Sequence, residues 1–155
     1  MKLGKHDFSI LRVLQKNGRI SNRDLAREVS LSPSPSWRRV RALEDAGVID
    51  HYAAVVKREA VGLSILGFAH VTLHDHNSET VAKFDAAIMN TDQVLECHST
   101  SGEYDYMLKI VAPDMAAYQQ FLSDYLLTIG VVRTVNTSFV MKQLKSTTVL
   151  PLDHV

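Results

Sequence analysis

The chain has 155 residues with 17 Lys/Arg against 17 Asp/Glu, so its overall charge of zero gives no reason to expect strong attraction to nucleic acid. No apolar run approaches the ~20 residues that span a bilayer, and no hydrophobic signal segment follows Met1-Lys2-Leu3-Gly4-Lys5. The lone Cys97 excludes an intrachain disulfide framework, fits a reducing cytoplasm and is expected as a small core or semi-buried residue. The neutral total hides an asymmetry. Residues 1–60 hold 12 Lys/Arg against 7 Asp/Glu, a net of +5, and residues 61–155 hold 5 against 10, a net of −5. A basic half joined to an acidic half is the pattern expected when one module meets phosphate and the other does something else.

In chain order, Phe8, Ile10, Leu11 and Leu14 recur at helical spacing, and Asn17-Gly18-Arg19 ends that segment. Ser21 offers an N-cap for a second helix carrying Leu25, Ala26 and Val29, with Asp24 in its first turn near the positive dipole end. Only Ser30-Leu31 separates it from a third helix, the tight spacing of a helix-turn-helix. Ser32 is that helix's N-cap, Pro33 and Pro35 fall in its first turn, and Gly47 is placed to end it. At about 100° per residue, Val40 and Leu43 share a buried stripe, with Arg38, Arg41, Ala42 and Asp45 on the far side and Trp37, Arg39 and Glu44 flanking. Small residues and arginines at the helix N-terminal half suit a DNA major groove. The expected DNA-contacting set is Ser34, Ser36, Trp37, Arg38, Arg39, Arg41 and Ala42, with Arg39 structural or phosphate-directed and Trp37 packed on the first helix. The β-prone run Val48–Val56 follows as a wing strand or the first strand of a linker.

The second half alternates differently. Ile65 to Leu73 reads as a strand, and Asn77-Ser78-Glu79 opens a helix carrying Val81, Phe84, Ile88 and Met89. Val94–Thr100 and Tyr104–Val111 are strands joined by the turn Ser101-Gly102-Glu103. Pro113-Asp114 starts a helix with Tyr118, Phe121, Leu122, Tyr125 and Leu126 on one stripe, which stops at Ile129-Gly130 before a long strand from Val131 to Leu144. The order βαββαβ is ferredoxin-like, an antiparallel sheet with both helices on one face. The uncovered face then needs a partner, and a homodimer is expected. On the last strand Thr134, Asn136 and Ser138 put three polar side chains on one face, needing solvent, a second subunit or a small polar ligand. In the hairpin Ser101–Asp105, Gly102 lets a ligand approach the backbone and a carboxylate could hold an ammonium group. The fold class is therefore α+β: a winged helix-turn-helix over residues 1–50, a linker or hinge strand over 51–63, and a ferredoxin-like domain over 64–155.

Several stretches together resemble the Lrp/AsnC (leucine-responsive, or feast/famine) family of transcriptional regulators: Asn17-Gly18-Arg19-Ile20-Ser21, Leu31-Ser32-Pro33-Ser34-Pro35 with Arg38-Arg39-Val40, Leu43–Ile49, Gly102-Glu103-Tyr104-Asp105-Tyr106, Pro113-Asp114 and Asn136–Val140. Family members often carry Leu-Asp where this chain has Leu3-Gly4, and a proline often stands in the turn that is here Leu127–Val131. The resemblance implies a regulator of double-stranded DNA whose second domain dimerises, assembles dimers into octamers or similar rings, and binds an amino-acid effector. It points to Thr100, Gly102, Tyr104, Asp105, Thr134 and Asn136 as the effector site. Two alternatives come from other classes. Haem-biosynthetic (sirohaem-type) decarboxylases resemble the family in architecture, and His70, His74, His76 and His98 would suit one, but Arg133 is the single arginine in that half to meet a polycarboxylate. His70, His74 and His76 share strand parity and could ligate a metal. No phosphate loop, EF-hand spacing, Ser-His-Asp or Cys-His arrangement occurs, so no enzyme activity, cofactor or metal is expected.

Overall fold

The computed structural model describes residues 2–153. The chain divides into two compact units, one running up to Val55 and taking in the tail from Lys145, the other spanning Val56–Leu144.

The first unit is built on three helices, α1 (Lys5–Leu14), α2 (Asn22–Glu28) and α3 (Pro33–Asp45). Gly4 caps α1 in extended conformation, and its N–H donates to the Asp7 carboxylate at 2.8 Å. The Ser21 hydroxyl accepts from the Asp24 N–H at 3.1 Å, closing the first turn of α2. Ser30 adopts φ 56°, and Leu31 N–H reaches back to Ala26 C=O at 2.8 Å, so two residues suffice to redirect the chain into α3. Ser32 holds the N-cap position without a side-chain bond, and the prolines occupy the turn where no helical N–H is needed. Gly47 at φ 66° ends the helix, with Val48 N–H bonded to Leu43 C=O at 2.9 Å. Ile10, Leu25, Val29 and Leu43 form the core, with Val40 packed against it.

Two expectations change in this unit. The β-prone run Val48–Val56 forms no strand; among the described residues no segment pairs with it, and β propensity without a ladder partner does not make a strand. The tail, expected to lie with the sheet domain, belongs to the first unit instead. Gln15 clamps it at both ends of its amide: Oε1 accepts from Leu150 N–H at 2.6 Å and Nε2 donates to Leu150 C=O at 3.3 Å. Arg12 donates to Leu152 C=O at 2.8 Å.

The second unit contains a 3₁₀ turn (Arg58–Val61), β1 (Ile65–Leu73), α4 (Ser78–Met89), β2 (Val94–Ser99), β3 (Tyr106–Ala112), α5 (Met115–Phe121) and β4 (Val132–Phe139). The sheet is antiparallel in the order β2-β3-β1-β4, which is the ferredoxin-like arrangement. Ala69, Val71 and Leu73 of β1 and Tyr106, Leu108 and Ile110 of β3 face the helices, where Phe84, Ile88, Tyr118, Phe121 and Leu126 close the core. Gly67 lies close to β4 on this face: a Cβ there would lie 3.1 Å from Thr137 Cγ2 and 3.4 Å from the Phe139 ring. The Tyr118 hydroxyl bonds Thr137 Oγ1, and the Tyr118 and Phe139 rings meet edge to face at 4.9 Å, which puts the odd positions of β4 on the helix side.

Differences here are local. β4 ends at Phe139 rather than Leu144, because Val140 N–H already bonds Leu66 C=O near the start of β1 and little ladder remains beyond it. Its alternation begins only after a register shift opposite Thr72/Leu73, so Val131 and Val132 are both buried. Met89 is exposed at the end of α4 instead of extending the apolar stripe. Cys97 is also exposed, because β2 is the outer strand. The stripe holds although the helix widens into a π-helical turn, Leu122–Leu126: Tyr118, Phe121 and Leu126 are buried in the core and Leu122 and Tyr125 pack against it, the Tyr125 hydroxyl donating to Ala87 C=O at 2.6 Å.

Candidate functional site

The outer surface of α3 carries Ser34, Trp37, Arg38, Arg41 and Ala42, all exposed. Arg38 makes no ion pair among the described residues. Arg41 is partly committed: Nη1 reaches Glu44 Oε2 at 3.3 Å, and the guanidinium lies 5.8 Å from the centre of the Trp37 ring. Trp37 was expected to pack on the first helix. It is instead 54% exposed, because the inward positions of α3 are already filled by Ser36, Val40 and Leu43. Ser36, expected to face DNA, is fully buried, and its Oγ has no partner among the described residues. Arg39 is the structural member of the set. Its Nη1 binds Asp7 Oδ1 at 2.9 Å, and Asp7, whose side chain is only 10% exposed, uses Oδ2 for the Gly4 N–H. One carboxylate thus caps α1 and pins α3 to it.

In the second unit, the even positions of β4 lie on the face away from the helices. Thr134 stands opposite Thr72 and Asn136 opposite His70, and neither Thr134 nor Asn136 enters a side-chain hydrogen bond among the described residues. Tyr104 lies over His70, ring centres 4.9 Å apart, at the same end of the sheet. The hairpin residues are bonded to one another: Thr100 Oγ1 donates to Tyr104 C=O at 2.8 Å and Thr100 N–H to Asp105 C=O at 2.9 Å. Gly102 takes φ 127° with open space around its Cα. Asp105 is not the free carboxylate that the sequence suggests. Its Oδ2 accepts from Leu73 N–H at 2.8 Å, and its Oδ1 lies 2.7 Å from His76 Nε2. The His76 hydrogen bond, and then the Leu73 N–H, hold this carboxyl below the usual carboxylate range. Elsewhere on the open face, Lys109 and His98 hold Glu96 down in the same way. No group of three or more His, Cys, Asp or Glu side chains among the described residues is arranged to hold a metal.

Sequence reasoning missed two contributors. Asp7 and Arg39 are 32 positions apart, beyond any local pattern. His76 enters the sequence reading only through the metal and decarboxylase alternatives, and no spacing rule links it to Asp105, 29 residues on.

A helix-turn-helix with an arginine-bearing outer helix, joined to a ferredoxin-like sheet with an open polar face, defines a DNA-binding regulator with a separate sensing domain. Residues 3–50 match the model of a winged helix-turn-helix DNA-binding domain, and residues 66–150 match the Lrp/AsnC ligand binding domain. The chain is 40% identical to the leucine-responsive regulatory protein of Salmonella typhimurium over 92% of its own length and 87% of that protein, and 39% identical to that of Escherichia coli over the same shares. A transcriptional regulator from Neisseria meningitidis, solved as an L-Met complex, superposes with a TM-score of 0.95 at 41% identity, covering 99% of both chains. An AsnC family regulator from Agrobacterium tumefaciens gives 0.93 at 35% identity, covering 98% of this chain and 99% of the other. The chain belongs to the Lrp/AsnC family of transcriptional regulators. These relatives are regulators and not enzymes, which sets aside the decarboxylase alternative.

Proposed function

We propose that the chain is an amino-acid-responsive regulator of cytoplasmic operators, with L-methionine and L-leucine as the first effectors to test. The observation that carries this is the match over 99% of both chains to a regulator solved with L-Met; the leucine-responsive relatives support the same class of ligand. Ser34, Trp37, Arg38, Arg41 and Ala42 form the DNA-facing surface, and Arg39 orients the helix from behind through Asp7. The effector site uses Thr100, Gly102, Tyr104 and Asp105 of the hairpin with Thr134 and Asn136 of β4, supported by their clustering at one end of the open face. Two chains pair through that sheet face, presenting recognition helices to half-sites about one helical turn or a small multiple apart, and dimers assemble further into octamers or similar rings.

The test is genomic binding-site sequencing with and without each amino acid, with sedimentation of the purified chain under the same conditions. Effector binding is expected to change assembly or operator spacing, because a ligand shifts an equilibrium only by its differential affinity for the states. A 17.3 kDa species alone in solution would remove the dimer from this reading.

A further inference from the structure

We propose that His76 is a built-in competitor of the effector: its imidazole occupies the Asp105 oxygen that an amino-acid ammonium group needs, and the effector binds by displacing it. This rests on the amino-acid reading above and adds a residue that reading leaves out.

The two oxygens of Asp105 are held very differently. Oδ2 is tied to the main chain of β1 through Leu73 N–H at 2.8 Å, and the same residue donates its own N–H to Val71 C=O at 3.0 Å. Freeing Oδ2 means opening the end of the sheet. Oδ1 is held by His76, which sits on the loop between β1 and α4 with 71% of its side chain exposed, whereas the Asp105 side chain is 19% exposed. One oxygen is therefore structural, and the other is closed by a side chain that can swing into water. An imidazole N–H and a primary ammonium both offer that oxygen an N–H donor, and the ammonium brings a full positive charge with it. The hairpin stays anchored in either case through Thr100 and Leu73.

The charged groups around His76 do not provide a second acceptor of equal quality. On its own loop, Asp75 accepts from Asn77 N–H at 3.1 Å, while His74 lies two residues back. From β4, Arg133 adds positive potential at Asp105. The N–H donor at Oδ1 therefore comes from either His76 or the ligand.

Displacement exchanges one N–H donor for another at Oδ1, and an exposed pair of this kind is individually modest, so loss of the ring is expected to tighten effector binding about twofold to fivefold.

The experiment is calorimetric titration of the full chain with L-methionine and with L-leucine, for wild type, His76→Ala and His76→Gln. His76→Ala is expected to bind about twofold to fivefold more tightly than wild type. His76→Gln, which keeps an N–H donor, is expected to lie between the two. Weaker binding by His76→Ala would make the ring a support for the site and overturn the proposal, as would equal affinity in wild type and variant. No binding of either amino acid to any variant would remove the amino-acid reading itself, and the competitor with it. Ring signals of His76 that shift in NMR spectra when ligand is added to wild type provide a second readout, and ring signals that stay fixed under saturating ligand overturn displacement.

Discussion

Arg38 and Arg39 are adjacent on α3, yet they have opposite expected duties. Substituting Arg39 by Ala leaves Asp7, a carboxylate with 10% of its side chain exposed, holding only the Gly4 N–H at 2.8 Å. Removing one partner of a buried charge costs more than the pair contributes, but the Arg39 side chain is 42% exposed, and solvent screening reduces the loss. An expected cost of about 1–2 kcal/mol follows. In a unit of this size each kcal/mol moves Tm by roughly 4–8 °C, so its melting transition should fall by about 5–15 °C. Arg38→Ala removes an exposed side chain with no ion pair among the described residues, and stability should change by less than about 0.5 kcal/mol. Operator affinity should instead drop by about 1–3 kcal/mol with relaxed selectivity if Arg38 reads a base, or fall uniformly with a salt slope flatter by about 1 if it meets phosphate. Scanning calorimetry and gel shifts over a range of salt concentrations separate the two variants. A double-mutant cycle with Asp7→Asn should return a coupling between Asp7 and Arg39 and none between Asp7 and Arg38. If Arg39→Ala melted as wild type while losing operator selectivity, the division would be wrong and Arg39 would be in the groove.

Ser36→Ala should stabilise the first unit by about 1 kcal/mol, since it deletes a buried hydroxyl with no partner among the described residues and improves helix propensity; a loss of operator affinity without loss of stability would return Ser36 to the DNA surface. Gln15→Ala should lower the melting temperature of the same unit by releasing Leu150 at both its N–H and its C=O, and truncation after Leu144 should lower it further, both read by circular dichroism. Asp105 and Glu96 carry carboxyls held below their ordinary range, so their stabilisation is complete above the unfolded-state value and is lost as pH falls through about 4 and below. Urea unfolding between pH 7 and pH 3 should therefore show a shallower acid decline for Glu96→Gln than for wild type. At the other extreme, burial pushes the Tyr106 hydroxyl up to about 12, so its contribution is intact below about pH 10 and is lost as pH rises towards 12, an alkaline decline that Tyr106→Phe should reduce.

The helices and strands were legible wherever a period met a stop signal. Ser21, Asn77, Asp114, Gly47 and Gly130 stand at the helix boundaries because each supplies a cap or a left-handed turn that few other residues supply as well, and Ser32 holds an N-cap position without a side-chain bond. What could not be read was set by partners distant in sequence. The apolar stripe from Tyr118 to Leu126 was readable, but the π-helical turn Leu122–Leu126 within it was not, since the 3.6-residue period of a regular helix carries no sign of an extra residue. The run Val48–Val56 has strand composition, but a strand exists only where another backbone accepts its hydrogen bonds, and composition carries no information about that.

The polar face was legible for a different reason from its occupancy. Strand parity alone puts Thr134, Asn136 and Ser138 on one side of β4, and the pairing with Thr72, His70 and Phe68 of β1 places that side away from the helices. Parity says nothing about whether a polar group is already bonded. On the hairpin, Thr100 and Asp105 are engaged within the protein, whereas Thr134 and Asn136 enter no side-chain bond among the described residues. On the proposed reading the two ends of an amino acid therefore meet unequal resistance. Its carboxylate finds the Asn136 amide and the Thr134 hydroxyl uncommitted, and its ammonium must take Asp105 Oδ1 from His76. Selectivity for a zwitterion over a simple amine or a simple acid then follows from needing both contacts at once, since one hydrogen bond at either end is worth little against the loss of the internal pair.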